Sequence, residues 1–239
     1  MREDYHKWYS QWIGEDFEML VFGDAGIPLI LFPYTNSKYY EYKDYGVIDS
    51  LSELIYEEKV KIYCPDSRDY QHWLNYDIEP AERVLRYIQF EKLVLNDVVK
   101  FINYETEENN ILFGGFGLGG YHALNLSLKH PELSRGFISM GAPTNIKRYV
   151  YGYYDENCYY NNPSDYLPGM TDEKLLSQIR KLKIILCSGI SDPYDFENQD
   201  LSKQFFIKGV NHLSDVKQGK INTYDDCQIL LGDNLPLLL

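Results

Sequence analysis

The stretch richest in chemical possibility is Ile111 to Ala123, Ile-Leu-Phe-Gly-Gly-Phe-Gly-Leu-Gly-Gly-Tyr-His-Ala. An apolar run enters it, glycines crowd its centre and a helical pattern leaves it, which is the local signature of a sharp strand–turn–helix. In the frame G-x-S-x-G such a turn presents a serine as an exposed nucleophile. Here the frame reads Gly115-Phe116-Gly117-Leu118-Gly119, and Gly117 stands in the serine slot. Glycine supplies no nucleophile. It does suit the backbone, because a strained turn of this kind costs a non-glycine residue about 1–3 kcal/mol.

The same glycines satisfy G-x-G-x-x-G, a dinucleotide fingerprint. That motif belongs to a first βαβ unit and needs an acid after the next strand. Here it comes after residue 110, and the next strand ends Ser139-Met140-Gly141, so no nicotinamide cofactor is expected. A phosphate loop fails because no G-K-[ST] follows. No His/Cys/Asp group has metal-ligand spacing, so neither a metal nor any other cofactor is expected.

Acyl chemistry at such a turn needs a base and an orienting acid beside the hydroxyl. The chain holds five histidines. His212 falls at the start of a strand, the wrong end of a parallel sheet for a site. His122 lies on the helix leaving the turn and reads as packing or capping, while His6 and His130 read as peripheral. His72 lies in the loop Asp66 to Asn75, after a strand and on the correct side. It reads as a solvated loop histidine, with reach into a pocket as the sharper alternative. Ser139, Ser188 and Ser191 are hydroxyls outside any such turn.

The elements that would position these groups alternate. Strands are expected at Phe17 to Gly23, Ile27 to Phe32, Lys59 to Cys64, Asn110 to Phe113, Gly136 to Met140, Lys183 to Cys187 and Asn211 to Val216. Helices are expected over Ile48 to Glu57, from Ile78 to about Asn103, over Gly119 to Lys129, from Asp172 for about ten residues, and over Asn198 to Lys208. Thr144 to Met170 breaks the alternation as a tyrosine-rich excursion without regular structure. Within it Tyr149 to Tyr154 form a candidate contact surface. Alternating strands and helices imply an α/β fold: a mainly parallel sheet with helices on both faces, here as one domain over residues 1–239. Ligands in such sheets sit beyond the C-terminal strand ends.

The 239 residues carry a net charge of −13, which disfavours nucleic acid and anionic membranes as partners. The N-terminus is polar and has no signal-peptide core, and no apolar run is long enough to span a bilayer. Four cysteines without C-x-x-C pairing read as reduced thiols, which points to a cytoplasmic protein. The terminal Leu235 to Leu239 is expected to pack on the core.

With the motifs placed, the chain resembles the esterase D-like family of the α/β-hydrolase superfamily, which includes feruloyl esterases and mycolyltransferases. Short bacterial esterases of this length are the most similar group. The matching pieces are Tyr5 to Ser10, Tyr39 to Tyr42, Cys64 to Ser67 with Trp73, Gly119 to Ala123 and Phe137 to Met140. Further matches are Asp155 to Tyr159 with Asn161 to Pro163, and Lys208 to His212. The resemblance implies the α/β-hydrolase fold and three catalytic positions. The nucleophile position is Gly117, and the acid position is Asp192, with Asp195 as second choice. The histidine position falls within Lys220 to Gln228, near Tyr224, Asp225 or Asp226. That segment contains no histidine, and the tail lacks the family's aromatic helix. By position, the oxyanion donors would be the Leu118 backbone N–H and one from Tyr34 or Thr35.

The expectation is therefore a non-catalytic, esterase-like protein that binds an ester-like or acyl small molecule, or a protein partner, over the old pocket. Homo-oligomerisation is left open. The alternative is an active carboxylic-ester hydrolase or acyl-transferase, either as a serine-to-glycine variant at position 117 or with an unrecognised base such as His72. Oxyanion donors and binding alone can sustain about 10³–10⁴-fold catalysis over water.

Overall fold

In the computed structural model, which describes residues 1–106, 108 and 110–239, the chain builds an eight-stranded sheet ordered β1-β2-β4-β3-β5-β6-β7-β8. The strands are β1 (Glu3–Ser10), β2 (Glu15–Phe22), β3 (Ile27–Phe32), β4 (Val60–Pro65), β5 (Ile111–Phe116), β6 (Ser134–Met140), β7 (Lys183–Gly189) and β8 (Leu213–Lys217). β1 pairs antiparallel with β2, and β2 with β4; the remaining ladders are parallel.

The central strands β3, beyond Ile27, and β5 are fully buried, which is why they read as continuous apolar runs. Their side chains still alternate between two cores. Ile30 and Phe32 pack on one face, with Tyr63, Trp73, Tyr87 and Phe113. Leu29 and Leu31 pack on the other, with Tyr42, Ile55, Ile62 and Leu230.

The helices that cover the second face are α1 (Glu41–Asp44), α2 (Val47–Ser50) and α3 (Ser52–Tyr56), joined at the far end by the last helix of the chain. α4 (Pro80–Leu93) and α5 (Val99–Thr106) lie on the first face, linked by a π-helical stretch at Val94–Val98. Proline at the first turn of α4 loses no hydrogen bond there. α6 (Leu118–Lys129) follows β5 directly and is buried from Leu118 to Leu128. Then come α7 (Lys147–Val150), α8 (Glu156–Tyr159), α9 (Pro163–Gly169), α10 (Glu173–Ile179), α11 (Asp195–Ile207) and α12 (Tyr224–Asn234).

Three sequence expectations change. The N-terminal segment forms β1, an edge strand with alternating exposure. It lacks an apolar run because only one face packs, through Trp8 on Phe17 at 5.1 Å and His6 on Phe101 at 4.8 Å. Thr144 to Met170 is not irregular: three short helices form there, with Asp155 accepting from Cys158 N–H at the start of α8 and Pro163 opening α9. Lys220 to Gln228 is only partly a loop, since α12 begins at Tyr224. As expected, Leu235 and Leu238 are buried and all four cysteines are free.

The glycines around β5 set how deeply α6 can seat. A Cβ on Gly115 would lie 2.2 Å from the Gly119 carbonyl carbon, and one on Gly119 would lie 2.2 Å from the Pro33 carbonyl oxygen. The helix can approach β3 and β5 this closely only without those side chains. Gly115→Ala should cost at least the about 1–3 kcal/mol typical of overpacking, read as a lower urea midpoint. A midpoint equal to the wild type would contradict the contact.

Candidate functional site

The C-terminal ends of β3, β4, β5, β6 and β7 bring five loops together. Gly117 is the single residue between β5 and α6. Its backbone is left-handed in φ, at 60° with ψ −124°, and its N–H donates to the Met140 carbonyl at 2.8 Å. Glycine adopts this conformation without strain.

The space above Gly117 is filled from within the chain. Thr35, in the loop after β3, places its Oγ1 as acceptor of the Leu118 N–H at 2.9 Å. Tyr34 stacks on Phe116 with ring centroids 4.6 Å apart. A Cβ on Gly117 would lie 2.3 Å from Thr35 Oγ1 and 2.9 Å from the Tyr34 ring. The Leu118 N–H, nominated as an oxyanion donor, is thus already bonded to a side chain of the loop that was to supply the second donor.

That loop is fastened further along. Ser37 N–H donates to the Tyr34 carbonyl at 2.8 Å, and Ser37 Oγ lies 2.8 Å from the Tyr224 hydroxyl. Asn36, left-handed at φ 61°, donates its N–H to Asp69 Oδ2 at 2.9 Å. Tyr224 also donates to Glu41 Oε2 and stacks on Tyr45, so it ties α12 to α1. Burial pushes the Tyr34 phenol up, with Tyr194 and Asp192 adding to it.

Asp192, nominated as the acid, has both oxygens committed to backbone. Oδ2 accepts from Gly189 N–H at 2.7 Å and Oδ1 from Ile221 N–H at 2.9 Å. It therefore pins the loop after β8 to the end of β7. Asp195 accepts from Ser188 Oγ and Gln199. Asp226 serves as a helix cap: its Oδ2 accepts from Asn222 N–H, Thr223 N–H and the Thr223 hydroxyl, while Thr223 accepts from Asp226 N–H. These bonds hold its carboxyl below the usual range against the opposing effect of burial. Thr-x-x-Asp before an apolar run is a reciprocal capping arrangement, and it occupies the segment expected to be a histidine loop.

His72 corrects its own expectation. It is not a solvated loop residue but is 1% exposed. Its Nδ1 accepts from Trp73 N–H at 2.8 Å and its Nε2 donates to the Ser67 carbonyl at 2.9 Å. Burial lowers its pKa to about 4. Both nitrogens are spent inside the core, so the ring has no free position for base chemistry.

The structure also assembles a group that sequence spacing missed. Asp69, His72 and His122 are all buried, with candidate ligand atoms within 4.8 Å of one another. Asp69 Oδ1 accepts from His122 Nε2 at 2.8 Å and lies 3.9 Å from His72 Nε2. These contacts lower the Asp69 pKa although its burial acts the other way. A metal does not fit this set. Coordination at His72 Nε2 would require a proton on Nδ1, the atom that accepts from Trp73 N–H. Asp69 stands four residues past the end of β4, so the strand-end rule alone could have nominated it.

Of the expected tyrosine contact surface, Tyr149 is buried, whereas Tyr151, Tyr153 and Tyr154 are exposed. Arg83 donates to the Tyr149 carbonyl at 2.8 Å and lies against the rings of Tyr76 and Tyr151, which holds this rim to α4.

No family model and no curated protein matches the chain. Solved structures do. A ferulic acid esterase superposes with a TM-score of 0.81 at 14% identity, over 99% of this chain and 97% of that one. An S-formylglutathione hydrolase from Agrobacterium tumefaciens gives 0.77 at 11%, over 99% and 94%. Mycobacterium tuberculosis MPT51 (FbpC1) gives 0.74 at 13%, over 100% and 98%. At these identities the likeness establishes the fold: this chain has the α/β-hydrolase fold of esterase D-like structures.

Two outcomes follow from the site. Gly117→Ala should destabilise the protein by about 1–3 kcal/mol from backbone strain alone, and should displace Thr35 as well; an unchanged melting temperature would contradict both. His72 is neutral when folded and has an unfolded value near 6.5. The unfolded chain therefore binds more protons between these values, and stability is full above pH 6.5 and is lost as pH falls toward 4, by about 3 kcal/mol at most. Denaturant midpoints across that window should fall for the wild type and flatten for His72→Asn.

Proposed function

We propose that this chain is a pseudo-hydrolase: an esterase-like α/β-hydrolase-fold protein that binds rather than hydrolyses. The observation that carries the reading is the Thr35 hydroxyl seated on the Leu118 N–H above a glycine. Ester hydrolysis on this fold needs a nucleophile at position 117, an imidazole near Lys220 to Gln228 and a free oxyanion donor. Position 117 supplies no hydroxyl. The expected histidine segment supplies a helix cap. The donor is occupied. The residual catalysis that free oxyanion donors could sustain is removed with it.

The competing reading, an active esterase with His72 as base, has no support from geometry, because both ring nitrogens are hydrogen-bonded in the core. Among possible ligands, an ester-like molecule would have to displace Thr35 to reach position 117. A partner engaging the rim needs no such change. The exposed Tyr76, Tyr151, Tyr153 and Tyr154 offer aromatic area for it. Within the described residues, no helix is long and apolar enough to cross a membrane.

Hydrolysis of p-nitrophenyl acetate tests the reading. Turnover should equal the buffer rate, and Gly117→Ser alone should not raise it. Turnover above buffer that is abolished by Asp192→Asn or His72→Asn would overturn the pseudo-hydrolase assignment, and so would rescue by Gly117→Ser.

A further inference from the structure

The loop of residues 33–37 is held over Gly117 at several points, and one of them has no counterpart in local turn geometry. The Asp69 side chain is fully buried, on the loop after β4, far from residue 36 in sequence. One of its oxygens accepts from Asn36 N–H and the other from His122 Nε2 on α6, which starts at the residue after Gly117. A buried carboxylate is expensive unless it is hydrogen-bonded, and these two bonds join the loop that covers Gly117 to the helix that Gly117 opens. Asn36 holds a left-handed backbone that a non-glycine residue adopts uncommonly. One residue earlier in the same turn, Thr35 covers the Leu118 N–H.

We propose that residues 33–37 form an autoinhibitory strap and that Asp69 is its latch: the Asn36–Asp69 and Leu118–Thr35 bonds open and close together. The inference deepens the binding-protein reading by naming the element that keeps its central position shut. Asp69 acts here as a positioning residue. It touches neither Gly117 nor Leu118 through any hydrogen bond of its own, and it controls their cover through the backbone of Asn36. The absence of a side chain at position 117 is what lets the strap close, since a Cβ would lie 2.3 Å from Thr35 Oγ1.

The strap can be pushed from either end, and amide hydrogen exchange resolved by residue reads both. In Asp69→Ala, exchange at Asn36 and Leu118 should rise at least tenfold, while Ile185 in the middle of β7 keeps its protection. Asp69→Asn, whose amide oxygen can still accept from Asn36 N–H, should restore most of the protection. A uniform rise that includes Ile185 would show a merely structural role and overturn the latch, as would unchanged exchange at Leu118. Should Asp69→Ala not fold, Gly117→Ala makes the same test from the other side: displacing Thr35 should also raise exchange at Asn36. Opening at Leu118 with Asn36 unchanged would mean that the two bonds are independent, which overturns the proposal. Exchange reports the strap and ester turnover reports chemistry, so either inference can fail without the other.

Discussion

Leu118 N–H meets Thr35 Oγ1 because nothing projects from position 117. That single steric allowance organises the upper end of the molecule. With a side chain there, Thr35 and the Tyr34 ring could not lie where they do. The loop after β3 would then need another path, and its bonds to Asp69 and Tyr224 would go with it. The turn at Gly117 is retained for a different reason. α6 must pass within backbone contact of β3 and β5, and only the flanking glycines permit that approach.

The polar groups around the turn are spent on architecture. Asp192 joins the end of β7 to the loop after β8 through two backbone amides. Asp226 closes the N-terminus of α12. His72 and His122 lie in an aromatic bed with Phe90 and Tyr87, and burial there lowers the pKa of His72. Apart from His122 Nδ1, which has no partner, these groups are hydrogen-bonded by the chain itself, as a stable fold requires of most buried polar atoms. A working triad would instead bond an acid to an imidazole and that imidazole to a hydroxyl.

Much of the scaffold was legible in advance. The buried strands are continuous apolar runs because both faces pack, and the strand–turn–helix at Gly117 is written in its glycines. β1 was not legible, since its packed face carries Asp4, His6, Trp8 and Ser10 while its exposed face carries Tyr5, Lys7 and Tyr9, so hydropathy hardly alternates along it. The helices within Thr144 to Met170 were hidden because four- to seven-residue helices carry too little periodicity, and their stability comes from capping and tertiary contact. The burial of His72 was invisible for a related reason: a residue in a loop after a strand can point to solvent or inward, and only its neighbours decide.

By itself the sequence determined residue identities at the turn: glycine at 117, aspartate at 192 and no histidine from Lys220 to Gln228. Those identities exclude a nucleophile at position 117, whatever the fold. It also determined the α/β alternation, because hydrophobic period follows from local backbone geometry. What only the tertiary structure decided is how the remaining polar groups are used. Asp69 and Asn36 are 33 residues apart, and Thr35 and Leu118 are 83 apart. Contacts at such separations depend on strand order and on how closely the layers pack, which local propensity does not encode. Hence the covered Leu118 N–H, the committed nitrogens of His72 and the latch at Asp69 appear only once the chain is folded.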